Sequence, residues 1–406
     1  MTRPRGALRV RVRGEGPQSY SVMVGSGLLG AEGGPIARLA RGRDAALIVA
    51  DAGLPTQLVE AVESRIAGVG VRVARVGVRA QERRKSLATL ELVLAAAAAS
   101  RLDRGGLIVG LGGGVVTDLA GFAAAVYRRG VDSVLCPTTL LAMVDASVGG
   151  KTGVNIEVGA AGTGAGAPRL LKNMAGAFHH PRLVVCDVAA LASLSLRQLR
   201  AGLAECLKHG LVGAGAADAG LWGFTQRAID RLAHEPLHER TLAALVGRHA
   251  AYKARVVAAD PKERARGGAV GRMALNLGHT FAHAIETLPG LRWPAPGGAG
   301  PAVRGPLLHG EAVGLGLIAA ADLGESLRRA EPGLALAVEG ALGRAGLPTR
   351  VGGLPASDQV IDRMLDDKKV LGGRLRVIVP TRARRAALID GPDRGLVARA
   401  IDRLRA

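Results

Sequence analysis

Hydrophobic positions alternate with arginines at the start of the chain. Leu8, Val10 and Val12 interleave with Arg9, Arg11 and Arg13, and Tyr20, Val22 and Val24 repeat the period of two, so residues 7–24 predict two strands around a Gly-Glu-Gly turn. Ala45–Ala50, Val71–Val78, Leu107–Leu111, Val131–Leu135 and Leu183–Cys186 predict further strands, and 55–68 and 86–99 read as helices. Strand–helix alternation of this kind implies a parallel sheet with crossover helices. From about residue 190 the pattern turns helical: Gln198–Leu211, 239–258, the segment opened by His309 and the basic amphipathic 394–405, with one strand-like run at Leu375–Val379. The expected architecture is an α/β N-terminal domain over 1–188 and a mostly α-helical C-terminal domain over 189–406.

The chemistry concentrates at Arg272–Glu286. Read as one helix, this segment puts Arg272, Asn276, His279 and His283 on a single stripe at i, i+4, i+7 and i+11, away from Phe281 and Ile285. The stripe either faces water or binds a ligand. It has none of the Lys, Glu or Gln of an ordinary solvated face, and two histidines four apart can reach one metal ion. Upstream, Gly112-Gly113-Gly114 joins an apolar strand to a helix, where glycines let a pyrophosphate approach a helix N-terminus, although the spacing is not the dinucleotide fingerprint. Asp145–Thr152 ends like a P-loop but lacks its first glycine, leaving Lys151 as a Gly-flanked lysine in a loop. Glu205 and Lys208 read as an ordinary helical ion pair of little worth. Residues 159–168, 260–271 and 289–308 read as loops.

Composition narrows the function classes. The net charge is +20, but the basic residues are spread along the chain and aromatics are only 2% of it, so an anionic small-molecule substrate is favoured over nucleic acid. Cys136, Cys186 and Cys206 form no paired motif. The first residues carry no apolar signal core, and the run Leu92–Ala99 is too short to span a membrane. A soluble cytoplasmic enzyme is the expectation.

Taken together, Gly112-Gly-Gly-Val-Val-Thr-Asp118, Tyr127-Arg-Arg129-Gly, Pro137-Thr-Thr, Asp145-Ala-Ser-Val-Gly-Gly-Lys151-Thr-Gly, Lys172-Asn173, Ala201-Gly-Leu-Ala-Glu205-Cys-Leu-Lys208, Leu275-Asn-Leu-Gly-His279-Thr-Phe-Ala-His283 and His309-Gly-Glu-Ala-Val closely resemble the 3-dehydroquinate synthase family in order and spacing over roughly 20–380. The resemblance implies an NAD-binding α/β domain, a helical domain holding a divalent metal (zinc or cobalt), an active site in the cleft between them, and a homodimer. The implied metal ligands are Glu205, His279 and His309, with His283 near the substrate phosphate. The implied NAD contacts are Asp51, Glu82, Lys85, Gly114, Val115, Val116, Thr117, Asp118, Thr138, Thr139, Asp145, Lys151, Lys172 and Ser193. The implied contacts to the phosphorylated sugar acid are Lys151, Asn173, Lys208, Lys253, Arg272, Asn276, His283 and the pair Lys368/Lys369, with Arg129 reaching the neighbouring subunit's phosphate.

The reaction so implied is transient oxidation of 3-deoxy-D-arabino-heptulosonate 7-phosphate by NAD, elimination of phosphate, re-reduction and aldol closure. Rival readings are a sister sugar-phosphate cyclase of secondary metabolism and a metal-dependent polyol dehydrogenase of the same fold. Departures from the family pattern are Thr117 in the glycine turn, Gly53 after the strand-end Asp51, the long segments 154–172 and 289–308, and a displaced glutamate, Glu263.

Overall fold

The computed structural model describes residues 7–13, 19–159, 169–216, 218–264, 270–294, 302–368 and 374–406. In chain order the first half comprises β1 (Leu8–Arg13), β2 (Ser19–Gly25), α1 (Pro35–Ala40), β3 (Ala45–Asp51), α2 (Thr56–Ala67), β4 (Arg72–Val78), α3 (Leu87–Ala99), β5 (Leu107–Gly112), α4 (Gly114–Val126), β6 (Asp132–Pro137), β7 (Lys151–Val158), β8 (Arg169–Phe178) and β9 (Leu183–Asp187). Helices α5 (Leu196–Leu211), α6 (Leu221–His234) and α7 (Glu239–Ala259) follow. The rest comprises α8 (His279–Glu286), β10 (Arg292–Trp293), β11 (Val303–Arg304), α9 (His309–Ser326), α10 (Leu334–Arg344), α11 (Ser357–Lys368), β12 (Arg376–Pro380), β13 (Ala386–Asp390) and α12 (Arg394–Asp402).

Two compact units result: Met1–Leu194 with Leu242–Ala258, and Ser195–Thr241 with Ala259–Ala406. A single cut at 188/189 would put α7 in the second unit, whereas α7 packs with the first. Helical periodicity gives the apolar face of α7 but not the body that face is buried against.

The first unit is built on a seven-stranded sheet in the order β1-β2-β9-β6-β5-β3-β4, parallel except for β1 against β2. Strands β5 and β9 are buried at every position, as central parallel strands covered on both faces must be. The edge strand β4 is half exposed and alternates. A Cβ at Gly110 would lie 2.7 Å from that of Ala120, so glycine is what lets α4 lie close over β5. Strands β7 and β8 form a separate antiparallel hairpin whose register shifts between Val154 and Ile156. Lys151 therefore starts a strand instead of sitting in a loop. The pattern missed this hairpin because its strands contain Gly153, Asn155, Asn173 and Gly176 where an apolar period would be expected. The Gly/Ala-rich stretch expected as a surface insertion lies almost wholly, at 160–168, outside the described residues.

The second unit is mainly helical around α9, which is buried along most of its length. Short β10 and β11 pair within the segment expected to be loop, and β12 and β13 form a hairpin. Helix α5 is opened by a capping box in which Ser195 and Gln198 exchange hydrogen bonds with each other's backbone. Among the described residues no helix is long and apolar enough to cross a membrane.

Candidate metal and nucleotide sites

The stretch 272–286 is not one helix. A 3-10 turn spans Gly271–Asn276, Gly278 adopts a left-handed φ of 79°, and α8 begins only at His279. Arg272 and Asn276 therefore do not share the stripe of His279 and His283. The break is imposed by packing: Gly278 and Gly316 of α9 meet backbone to backbone, and a Cβ on Gly316 would lie 2.1 Å from the Gly278 carbonyl oxygen. A left-handed residue without a Cβ is what that approach requires.

Three histidine and carboxylate side chains converge as a result. Glu205 on α5, His279 at the start of α8 and His309 at the start of α9 offer ligand atoms all within 4.8 Å of one another, the one such group among the described residues. His279 Nε2 and His309 Nε2 lie 3.8 and 3.5 Å from Glu205 Oε1. The other nitrogen of each ring is engaged: His279 Nδ1 lies 3.2 Å from the Leu277 carbonyl oxygen and His309 Nδ1 lies 3.4 Å from Glu286 Oε2. A carbonyl only accepts, so Nδ1 of His279 carries the proton and Nε2 keeps its lone pair toward Glu205. One carboxylate and two imidazoles, each with the second nitrogen held, is the donor set of a catalytic divalent-metal site. His283 stands beside this set, edge-on to His279 at 5.6 Å between ring centroids. Glu286, which the sequence reading did not single out, supplies the outer contact to His309.

Lys208, one turn along α5, is fully buried and pairs with Glu205. The pair is thus an interior one, not the weak surface pair the i, i+3 spacing suggested. Burial, and next the Lys208 ammonium, hold the His279 pKa down at about 3. Burial also opposes a proton on His309, but Glu205 and Glu286 outweigh it and raise that pKa to about 9. Metal binding needs neutral imidazole, so below about pH 9 it must expel a proton from His309 and none from His279. Metal affinity is therefore expected to rise about tenfold per pH unit from 6 to 8 and to level off near 9. Calorimetry in buffers of different ionisation enthalpy should find about one proton released.

Arg272 is almost completely buried: its backbone N–H donates to Asp260 Oδ2 at 3.0 Å and its Nη1 to the Pro261 carbonyl at 2.8 Å. Asn276 donates to Glu263 Oε1 at 3.1 Å, so the displaced glutamate does join the Arg272 segment. Lys369 lies outside the described residues, and Lys368 is described only as the last residue of α11.

In the first unit a second polar cluster forms. The Lys85 ammonium contacts Asp118 and donates to Asn173 Oδ1 at 2.6 Å. Burial raises the Asp118 pKa, with Lys85 working against it. Asn155 sits at the register shift of β7, donates to Glu82 Oε1 at 2.8 Å and accepts from the Asn173 N–H at 2.8 Å. Asn155 organises Glu82, Lys85 and Asn173 together, at a bulge that no period in the sequence marks.

The Gly112–Gly114 turn opens α4 with no capping side chain. Val115 and Val116 lie in its first turn, and Thr117 is buried with its hydroxyl donating to the Gly114 carbonyl at 3.1 Å. Thr117 thus does not point outward to solvent. Thr138 and Thr139 follow β6, Thr138 donating its N–H to the Gly112 carbonyl at 2.9 Å. Asp145 pairs with Lys253 of α7. Asp51 ends β3 and accepts the Gly53 N–H at 3.0 Å, and Ser193 donates to the Ala190 carbonyl at 2.8 Å. Lys172 lies on β8 beside Asn173, and Lys151 and Arg129 are exposed, Arg129 with a left-handed φ of 68°.

Residues 75–201 match the model of the 3-dehydroquinate synthase N-terminal region and residues 202–370 that of the C-terminal region. The chain belongs to the 3-dehydroquinate synthase family. A 3-dehydroquinate synthase of Nitrobacter winogradskyi is 40% identical over 372 residues, covering 90% of this chain and 88% of the relative. That of Xanthomonas campestris pv. campestris is 38% identical over 399 residues, 98% of each. Among solved structures, 2-epi-5-epi-valiolone synthase of Streptomyces hygroscopicus subsp. jinggangensis, with NAD+ and Zn2+ bound, is similar at a TM-score of 0.76 and 25% identity over 97% of this chain and 99% of that one. A 2-deoxy-scyllo-inosose synthase shares the fold at a TM-score of 0.73 and 20% identity over 97% and 99%.

Proposed function

We propose that this chain is a 3-dehydroquinate synthase: a lyase that releases phosphate from 3-deoxy-D-arabino-heptulosonate 7-phosphate and closes the carbocycle, with NAD held by the first unit and zinc or cobalt by the second. The observation that carries the reading is the convergence of Glu205, His279 and His309 beside buried Lys208, in a chain 40% identical to a 3-dehydroquinate synthase. When bound, NAD supplies a transient hydride acceptor and the metal ion polarises the oxygen being oxidised.

The residues divide the remaining work. The uncapped start of α4 offers backbone N–H groups to a diphosphate. Asp118, Lys85 and Glu82, tied together through Asn155 and Asn173, form a fixed polar wall for the nucleotide. Lys208 holds positive charge, without water, where an oxyanion would develop. Arg272, anchored at Asp260 and Pro261, presents a preorganised guanidinium to a carboxylate or phosphate. Asn276 and His283 extend that polar surface in the second unit, and Asn173, Lys253 and Lys151 serve the substrate in the first. Arg129, Lys368 and Lys369 keep their roles on the family likeness alone, as do a homodimeric state and a cytoplasmic setting.

The test is phosphate release with catalytic NAD and Zn2+ or Co2+. Chelator-sensitive release with no net NADH is the expected result. Consumption of sedoheptulose 7-phosphate instead would transfer the chain to the sister cyclases. Arg272→Ala is expected to lower kcat/KM at least about tenfold, since it removes a charged hydrogen-bonding partner of the substrate. An unchanged value would remove Arg272 from the substrate site.

A further inference from the structure

Helices α5 and α9 meet in a fixed register. Residues 205, 201 and 197 of α5, each one turn apart, face residues 309, 310 and 311 of α9 in that order. Glu205 faces His309 across the ligand group, with 3.5 Å between Oε1 and Nε2. Ala201 faces Gly310, where a Cβ would lie 1.9 Å from the Ala201 carbonyl oxygen. Arg197 faces Glu311 through two hydrogen bonds, Nε to Oε1 and Nη2 to Oε2, each 2.7 Å. Glu311 is buried and its Oε2 also accepts the Leu308 N–H at 2.7 Å. The same carboxylate therefore grips the backbone on one side of His309 and the opposite helix through a planar fork.

The described residues on either side of 295–301 contact this clamp. Trp293 of β10, buried and paired with Val303 of β11, stacks on the Arg197 guanidinium at 5.2 Å, and Arg197 Nη2 reaches the Pro306 carbonyl at 3.4 Å. Such stacking and bidentate pairing both depend on the flat guanidinium and are lost with lysine.

We propose that Trp293, Arg197 and Glu311 are positioning residues that fix the start of α9, and with it the His309 imidazole, at the distance from Glu205 that divalent-metal binding requires. The ion pair alone could be merely structural. What assigns it to the metal site is the register: the clamp, the glycine contact and the ligand pair are successive rungs between the same two helices, and Glu311 holds the N–H of Leu308, the residue before His309. The ribbon at β10 and β11 then has a function, since its Trp293 backs the flat face of the Arg197 guanidinium. This inference rests on the reading of Glu205, His279 and His309 as a metal site.

The experiment uses the full chain stripped with chelator, titrated with Co2+ against a chromogenic chelator, and followed by its visible absorption band. The unmodified chain should take up one Co2+. Glu311→Gln and Arg197→Lys should each bind it at least about tenfold more weakly and with a changed band shape, the loss typical of an outer partner of a metal ligand. Arg197→Lys should not behave as wild type, although it keeps the charge. Trp293→Leu leaves the ion pair in place and should weaken binding by a smaller factor, again with a changed band. It carries the test if Glu311→Gln does not fold. Unaltered affinity and band shape in the folded variants, with uptake intact in the unmodified chain, would overturn the positioning role alone. No uptake by the unmodified chain would overturn the metal reading and this inference with it.

Discussion

Glu205→Gln is expected to reduce metal-dependent turnover about a thousandfold, because it removes the one anionic ligand and with it several kcal/mol of charge stabilisation. It should also lower stability, by an independent route. Lys208 and Glu205 are both fully buried and paired, so a glutamine at 205 leaves an interior ammonium without its counter-charge, a loss of about 3–5 kcal/mol. The two effects separate in the double variant Glu205→Gln/Lys208→Met. Calorimetric melting should recover most of the stability in the double variant, while metal uptake and phosphate release stay lost. A double variant as unstable as the single one would mean that the pair is not what holds this part of α5.

Gly310→Ala carries the second large effect, although the residue has no chemistry of its own. Its Cβ would fall 1.9 Å from the Ala201 carbonyl oxygen, and because that atom is backbone, whole helices must separate. Overpacking of this kind destabilises by about 1–3 kcal/mol. The greater loss should be in the metal site, since Gly310 adjoins His309 and Ala201 lies one turn from Glu205. A shift of about 1 Å between reacting groups can lower rate about a hundredfold. The expected outcome is a protein that still binds NAD, measured by fluorescence titration, with metal affinity and turnover both down about a hundredfold. Normal metal affinity in Gly310→Ala would show that α5 and α9 can part without disturbing the ligands.

Much of the architecture was legible from periodicity. The buried strands β3, β5 and β9 are apolar apart from a terminal aspartate in β3 and β9, and helical stretches alternate with them, so sheet and crossovers follow directly. The hairpin β7/β8 was not legible, because its pairing is set by a bulge at Asn155 and by Asn173 at a left-handed φ of 55°, neither of which leaves a period. The grouping of Glu205, His279 and His309, whose ligand atoms converge, follows from family likeness and not from spacing. The apparent stripe of Arg272, Asn276, His279 and His283 assumed a continuous helix that Gly278 interrupts. A glycine in a helical pattern is compatible with either outcome, and only the contact with Gly316 across the helix pair decides between them. Glu286, Arg197 and Trp293 were invisible because their value comes from partners distant in sequence.

The placement of α7 bears on how the protein is made. Residues Leu242–Ala258 belong to the first unit, where Lys253 pairs with Asp145 and Gly247 makes room for Leu8, yet they are synthesised after Ser195–Thr241 of the second. Domains commonly fold in the order they leave the ribosome. Here the first unit cannot close until residue 258 has emerged, so the nascent chain must carry part of the second unit before the first has its full complement of helices. A fragment ending at Leu194 would lack α7 and leave the partners of that helix exposed, so the two units are expected to be expressible together but not as separate pieces cut at the end of the sheet.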